Sequence, residues 1–175
     1  MTAPRLILAV LLTLAAAVVT ATAVAVADAG SPTPRVAAVD GSPSAAASRT
    51  EALAVLADWD RRRAAAWAAG DRSALAELYA PGSRAGRRDA AMLARWVERG
   101  LRVTDLRMQV LDVQVRAAGS ARWELDVTDR LAGGQAVGRR TTVPLPRDGW
   151  STRRVVLEQV AGQWRVVSVS PRARP

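Results

Sequence analysis

The first block of the chain is apolar and uncharged. Arg5 precedes a run from Leu6 to Ala27 that contains no charged side chain. As a helix rising ~1.5 Å per residue, this run would extend about 33 Å, which is enough to cross the hydrocarbon core of a bilayer. A basic residue before such a run predicts that the N-terminus stays inside and that the rest of the chain lies outside the cytoplasm.

Two interpretations of residues 1–27 stay open. The apolar run is longer than the usual ~7–15-residue core of a signal peptide, which favours an uncleaved transmembrane anchor. Ala25-Val26-Ala27, however, has the A-x-A pattern of a signal-peptidase site. The predicted localisation is therefore the cell membrane, as a single-pass protein with its C-terminus outside, or the secreted fraction.

The remainder divides by composition into a linker, one domain and a tail. Residues 28–47 are rich in Ala, Pro, Ser and Gly and lack an apolar period, so they are predicted to be a flexible linker. The domain is predicted over residues 48–170 and the tail over 171–175. A domain of ~120 residues is large enough to bury a core without disulfides or metals.

Three helices are predicted at the start of the domain. Ser48 and Glu51 have the spacing of a capping box at a helix N-terminus. Gly70 and Gly100 are expected to end helices in the left-handed conformation, and Asp71 is expected to cap the second helix. The predicted helices span about residues 50–69, 71–79 and 87–99.

After the third helix the apolar period changes to two. Leu106, Met108 and Val110 alternate, and the phase then shifts at Leu111, which indicates a bulge that bends the strand. Turns are predicted at Gly133-Gly134 and at Ala161-Gly162. Three helices followed by four or five mostly antiparallel strands define an α+β domain. The predicted strands span about residues 106–115, 123–131, 137–145, 155–160 and 164–169.

The composition excludes several kinds of chemistry. The chain has no Cys, His or Lys, and its formal net charge is +9. Disulfides, thiol catalysis, a lipid-anchored cysteine and ordinary transition-metal sites are therefore excluded, and no metal or cofactor is predicted. The arginines are scattered among 16 acidic residues, which argues against nucleic-acid binding. The densest arginine groups are expected to be solvated surface rather than a face for anionic lipid or polymer: residues 61–63, 87–88, 139–140 and 153–154.

Three stretches resemble the nuclear transport factor 2-like superfamily, which includes ketosteroid isomerase and polyketide cyclases. They are Trp67–Gly82, with its Gly-Asp break between helices, the bent strand Leu106–Val115, and the closing hairpin that ends in Gly162–Val166. The resemblance implies a curved sheet wrapped around the long helix, which together form a cone with room for a ligand. It implies no single function, because this fold hosts enzymes, binders and scaffolds. Family enzymes use Asp, His or Tyr inside the cone, and no residue here matches such a position.

The candidate site residues follow from the expected interior of this cone. Alternation along the second strand aims Asp129 at the buried face, where desolvation would raise the pKa of its carboxyl and suit it to act as a base. The preferred alternative is that Asp129 lies near the strand end, either exposed or in an ion pair with an arginine such as Arg63 or Arg130. Six Trp accompany one Tyr and no Phe, so tryptophan either fills the core, which is preferred, or lines a pocket. The ligand-pocket candidates are Trp67, Tyr79, Trp96, Trp123 and Asp129.

The sequence favours a protein that binds rather than one that catalyses. The leading hypothesis is a non-enzymatic module outside the cytoplasm, attached through residues 6–27 or released, with a small hydrophobic ligand or an envelope protein as its partner. A homodimer through the sheet is a further expectation. The alternative is an isomerase, dehydratase or cyclase that uses Asp129 as its base. No catalytic residue is assigned under the leading hypothesis.

Overall fold

The structure is a computed structural model that describes residues 43–172. The predicted targeting segment and most of the predicted linker lie outside these residues. Within them, no helix is both long and apolar enough to cross a membrane. The elements are α1 (Pro43–Ala69), α2 (Arg72–Ala76), α3 (Arg84–Glu98), β1 (Arg102–Ala118), β2 (Arg122–Gly138), β3 (Thr141–Pro144), β4 (Ser151–Val160) and β5 (Gln163–Pro171).

The glycine stops after α1 and α3 and the Asp71 cap are those that the sequence predicts, whereas α2 ends at Ala76, before the predicted residue 79, and α3 begins at Arg84, before the predicted residue 87. Gly70 and Gly100 both have φ of +69°, a conformation that glycine adopts without steric cost. The Asp71 side chain accepts hydrogen bonds from the first backbone amides of α2, and the Ser83 hydroxyl accepts one at the start of α3. Short polar side chains at these two positions therefore fix where α2 and α3 begin.

Helix α1 begins earlier than predicted. It starts at Pro43, so residues 43–47 of the predicted linker are helical. The predicted capping box is therefore wrong, because Ser48 and Glu51 lie inside the helix, where the Thr50 hydroxyl donates to the carbonyl of Ala46 one turn earlier. Proline is well suited to the first helical turn, and the alanines that follow favour the helix strongly, so the helix extends past the expected boundary.

The five strands form one antiparallel sheet in the order β1-β2-β4-β5, and β3 pairs with the end of β2. The β1–β2 pairing shifts register at several points, including between Val110 and Asp112, which confirms the predicted bulge. Such bulges bend a strand and increase its twist. The sheet therefore curves, as the resemblance implied.

One of the two predicted turns is confirmed and the other is wrong. Ala161 and Gly162, with φ of +52° and +76°, form the β4–β5 turn. Gly133 and Gly134 are instead buried inside β2, which continues to Gly138. A Cβ on Gly134 would lie 3.0 Å from the Leu145 side chain. These glycines admit closely packed neighbours and do not reverse the chain.

The core lies between the helices and the concave face of the sheet. Helix α1 packs along β1, and α3 packs on β5. The inward-facing positions of β2 and β4 alternate with outward-facing ones, as period-two patterning requires. Six large side chains are fully enclosed: Leu75, Leu93, Val113, Leu125, Leu157 and Val166.

Candidate functional site

A buried carboxylate joins the three helices. Asp89 on α3 is only 6% exposed, and the Arg63 guanidinium of α1 donates to both of its oxygens over 2.6 and 2.8 Å. The Tyr79 hydroxyl, after α2, donates to Oδ2 over 2.7 Å, and Trp67 Nε1 donates to Oδ1 over 3.2 Å. Four donors thus converge on one carboxylate, and we call Arg63, Trp67, Tyr79 and Asp89 the Asp89 network.

Aromatic rings enclose this network. The Arg63 guanidinium lies 5.9 Å from the Trp59 ring centroid and 5.7 Å from that of Trp67, within cation–π range. The Trp59 ring meets Tyr79 edge-on at 5.5 Å, and Trp67 meets Trp96 edge-on at 6.3 Å. The rings exclude water from the ion pair, which strengthens its electrostatic attraction.

The network changes the acidity of its members. Burial, followed by the Asp89 carboxylate, raises the pKa of the Tyr79 hydroxyl, so this group stays protonated and remains a donor. For Arg63, burial lowers the pKa, but the charge and hydrogen bonds of Asp89 outweigh burial and raise the pKa overall. At physiological pH, Arg63 is therefore a fixed cation and Tyr79 is a neutral donor.

A second set of charged groups lies on the inward face of the sheet. Arg153 on β4 donates to both oxygens of Asp129 on β2, with Nε to Oδ1 at 3.1 Å. Asp129 is 9% exposed. The prediction that it faces the buried side is confirmed, but its partner is Arg153 and not Arg63 or Arg130. Register explains the choice: Arg153 stands opposite Val127, one inward-facing position from Asp129.

Asp60 on α1 faces the same region. Burial raises the pKa of its carboxyl from 3.8 to about 6, with smaller effects from Arg63 and Arg153, which lower it, and from Asp129, which raises it. Asp60 therefore interacts electrostatically with the Asp129–Arg153 pair across the interior. A partly buried carboxyl with this pKa changes its protonation state near neutral pH.

The structure brings only some of the predicted pocket candidates together. Trp67 and Tyr79 belong to the Asp89 network and Trp96 packs against Trp67, whereas Asp129 pairs with Arg153 outside this network. Trp123 is buried elsewhere, where its ring lies 4.7 Å from that of Trp164 and its Nε1 donates to Gly119. These indoles therefore occupy two separate places in the core.

Sequence reasoning did not place Asp60 or Asp89 toward the interior. It named Arg63 only as a possible partner of Asp129, and the expectation that Arg63 and Arg153 lie on the solvated surface is wrong, because each pairs with a buried carboxylate. One signal was available in α1, where Asp60 and Arg63 share a helical face with Leu56 and Trp67 at four- and three-residue spacing. Charged residues in an apolar stripe indicate a buried polar network. Asp89 carried no comparable signal, because its surroundings depend on how α3 packs against α1.

Three arginines on the convex face of the sheet share one carboxylate. Asp126 is 4% exposed and accepts ion pairs from Arg116, Arg154 and Arg172. Arg153 and Arg154, adjacent in sequence, thus point to opposite faces and bind different carboxylates. Within residues 43–172, no group of acidic side chains is arranged to hold a metal ion.

An open groove lies outside the cone, between α2, α3 and the edge of β5. Its volume is about 410 Å³. The loop after α2 forms one wall by pairing with β5, where Ala80 donates to the Val166 carbonyl and Val166 donates to Leu78. The lining is mainly apolar, with charged groups at Glu77, Arg87 and Arg165: Ser73, Ala76, Glu77, Tyr79, Ala80, Pro81, Gly82, Ser83, Gly86, Arg87, Ala90 and Arg165.

Gly86 lets α3 approach the Tyr79 ring at the bottom of this groove. A Cβ at residue 86 would lie 2.6 Å from Cγ of Tyr79, closer than packed atoms approach. We expect Gly86→Ala to lower the free energy of unfolding by roughly 1–2 kcal/mol, because overpacking outweighs the ~1 kcal/mol gain in helix propensity. Urea unfolding followed by tryptophan fluorescence measures this, with Gly149→Ala, where a Cβ meets nothing within 4 Å, as control. Equal stability of the two variants would contradict the prediction.

Comparison with known proteins identifies the fold. No protein-family model and no curated protein matches the sequence. Among solved structures, the intermembrane space region of chloroplast protein ARC6 aligns with a TM-score of 0.53 and 13% identity over 72% of this chain and 97% of that one. At this identity the similarity shows the fold alone.

Two further structures align with lower scores. Aln2 from a Streptomyces species has a TM-score of 0.47 and 14% identity, covering 69% of this chain and 90% of its own. An uncharacterized protein with a cystatin-like fold from Caulobacter vibrioides has a TM-score of 0.42 and 13% identity, covering 70% and 91%. The chain has the nuclear transport factor 2-like, or cystatin-like, cone fold, and the predicted resemblance is confirmed at that level.

Proposed function

We propose that this protein is a non-catalytic binding module that works outside the cytoplasm. Residues 6–27 attach it to the membrane or direct its release, and the cone domain binds a small hydrophobic ligand or an envelope protein. The location rests on the hydrophobic segment of the sequence. The absence of catalysis rests on the chemistry of the cone interior.

The observation that carries the proposal is that the two best-placed carboxylates are already neutralised. Arg153 occupies both oxygens of Asp129, and Arg63, Tyr79 and Trp67 occupy those of Asp89. A general base needs an oxygen within hydrogen-bond reach of a substrate proton. An oxygen held by an arginine is poorly placed for that role, so these groups serve the fold.

The position of the groove supports binding at the surface. The groove is lined by residues of α2, α3 and β5, and none of Trp67, Trp96, Trp123 or Asp129 reaches it. Its volume lies within the ~300–1,000 Å³ range of small-molecule sites. Tyr79 is the one predicted pocket residue that does line it.

The enzyme alternative now rests on a different residue. Asp129 is a weaker candidate base than the sequence suggested, because it is paired with Arg153. Asp60 has a pKa of about 6, which suits proton transfer near neutral pH. An isomerase, dehydratase or cyclase of this fold would therefore use Asp60, with Asp129 and Arg153 as its neighbours.

Recovery of bound molecules tests the proposal. The full chain, in lipid nanodiscs, is incubated with a bacterial envelope extract, washed, and extracted with solvent for mass spectrometry. Empty nanodiscs are the control, and Asp60→Asn and Asp129→Asn are treated in parallel. We expect an unchanged component of the extract, retained equally by all three proteins.

Two results would overturn this proposal. Conversion of an extract component into a product by the full chain, abolished in Asp60→Asn, would make the protein an enzyme. Retention of no extract component and of no envelope protein above the empty-nanodisc control would remove the binding role altogether.

A further inference from the structure

The groove beside α3 carries two arginines without a carboxylate partner. Arg87 donates through Nη1 to the backbone carbonyl of Gly82 over 2.6 Å, and neither it nor Arg165 forms an ion pair with any residue of the described 43–172 segment. The arginines of the cone interior are paired, Arg63 with Asp89 and Arg153 with Asp129. The groove therefore has positive charge that the fold leaves unneutralised.

Arg165 adds a more specific observation. Its Nε–H is shielded from solvent, yet it has no hydrogen-bond acceptor within the described part of the chain. A shielded donor without a protein partner is costly, and such donors are rare in native structures, where a water, an ion or another bound molecule commonly supplies the acceptor. Arg165 lines the groove, so an acceptor bound there is the candidate partner for its guanidinium.

The rest of the lining defines the body of the ligand. Ala76, Ala80, Pro81 and Ala90 form an apolar floor, while the hydroxyl of Ser83 is engaged as the cap of α3. Such a floor offers few polar partners to a ligand body, so a sugar or another highly hydroxylated molecule would lose its hydrogen bonds to water on binding. An apolar body with a single charged end fits both parts of the groove.

Glu77 is the one acidic side chain on the lining. Its charge opposes that of the arginines. Arg87 and Arg165 together carry two positive charges against the single negative charge of Glu77, so the groove has a net positive charge. The N-terminal end of the 15-residue helix α3 lies at the same place, and its backbone amides add to the positive potential. An anionic head would therefore be attracted to the arginines and weakly repelled by Glu77.

We propose that this groove binds a small amphiphile with an oxyanion head, which Arg165 and Arg87 hold, and a short apolar body on the alanine and proline floor. The head is a carboxylate or a phosphate monoester, since arginine binds both through the same planar set of donors. This inference rests on the proposed binding function and names the ligand class of that site.

Calorimetric titration of the full chain in nanodiscs tests it with four probes of equal chain length. Hexanoate and hexyl phosphate carry the two head groups, whereas hexanol and hexylamine carry no anion. Titration of empty nanodiscs corrects for partition into lipid. We expect saturable binding of at least one anion, with hexanol and hexylamine at least about tenfold weaker. The ratio of hexanoate to hexyl phosphate affinity identifies the head group.

Variants assign the binding to the groove. Arg165→Gln and Arg87→Gln should each weaken anion binding roughly tenfold, as expected for a charge-assisted hydrogen bond. Arg88→Gln removes the same charge from the neighbouring exposed position outside the groove and should change affinity less than about twofold. Glu77→Gln should tighten binding, because it removes the opposing charge. The ¹⁵N-detected Nε–H signal of Arg165 should shift on titration with the anion.

The inference is overturned if hexanol binds as well as the anions, if Arg88→Gln weakens binding as much as Arg165→Gln, or if the Arg165 Nε–H signal does not move. Circular dichroism and thermal melting of each variant show that its loss of binding is not loss of folding. An extract component that the Arg165→Gln variant still retains would remove this site and leave the binding function standing. Catalytic turnover of the extract would remove the function itself.

Discussion

The Asp89→Ala variant is expected to lose roughly 3–5 kcal/mol of unfolding free energy, the largest effect of any single substitution considered for this domain. The carboxylate is 6% exposed and accepts hydrogen bonds from Arg63, Trp67 and Tyr79. Its removal leaves the Arg63 guanidinium as an uncompensated charge between two tryptophan rings. Urea unfolding at pH 7, followed by tryptophan fluorescence, measures the change.

The matched control is Asp58→Ala on the exposed face of α1, where Asp58 pairs with Arg61 and Arg62. Exposed pairs contribute little, so we expect a loss below about 1 kcal/mol. The double variant Arg63→Met/Asp89→Leu should recover part of the stability lost by Asp89→Ala, because apolar groups of similar volume replace both charges. A loss below about 1 kcal/mol in Asp89→Ala itself would show that the Asp89 network does not hold the helices together.

The second large effect is a pH-dependent stabilisation by Asp60→Asn. Burial raises the folded-state pKa of Asp60 to about 6, against an ordinary value of 3.8. The folded state therefore holds a proton that the unfolded state releases between these values, and wild-type stability falls as pH rises from about 4 to about 6. Above pH 6 the loss is complete and amounts to at most roughly 3 kcal/mol for a shift of this size.

Asn at residue 60 does not ionise, so the unfolding free energy of the variant does not fall in this way as pH rises. We expect Asp60→Asn to exceed wild type in unfolding free energy by up to roughly 3 kcal/mol at pH 7.5 and to be nearly equal to it at pH 4. Paired urea titrations at the two pH values provide the measurement, and Asp112→Asn, a half-exposed carboxylate paired with Arg49, is the control. A stability difference that is the same at both pH values would show that Asp60 titrates normally.

Sequence patterns predicted some features of this fold correctly and others wrongly. The α1–α2 break was predictable, since Gly70 and Asp71 act through local backbone geometry and local hydrogen bonds. The bulge in β1 was predictable from a phase shift along one strand. The turn at Gly133-Gly134 was wrong because glycine serves two purposes, chain reversal and close packing, and only the neighbours of a residue distinguish them.

The candidate site shows the same division. Burial of Asp129 followed from alternation along β2, whereas its partner Arg153 followed from the register between β2 and β4. The groove could not be predicted from the sequence. Arg87 and Arg165 are far apart in the chain and line one groove only because the loop after α2 pairs with β5.

The sequence by itself determined the α+β class, the order of helices and strands, and the apolar segment that predicts export, because each of these depends on local propensity and periodicity. The tertiary structure decided which charges lie inside, which carboxylate each arginine holds, and which groove arginines hold none. Those outcomes depend on distances between residues far apart in sequence. A side chain's pKa and its freedom to bind a ligand both depend on which neighbours desolvate it or pair with it, and folding alone brings those neighbours together.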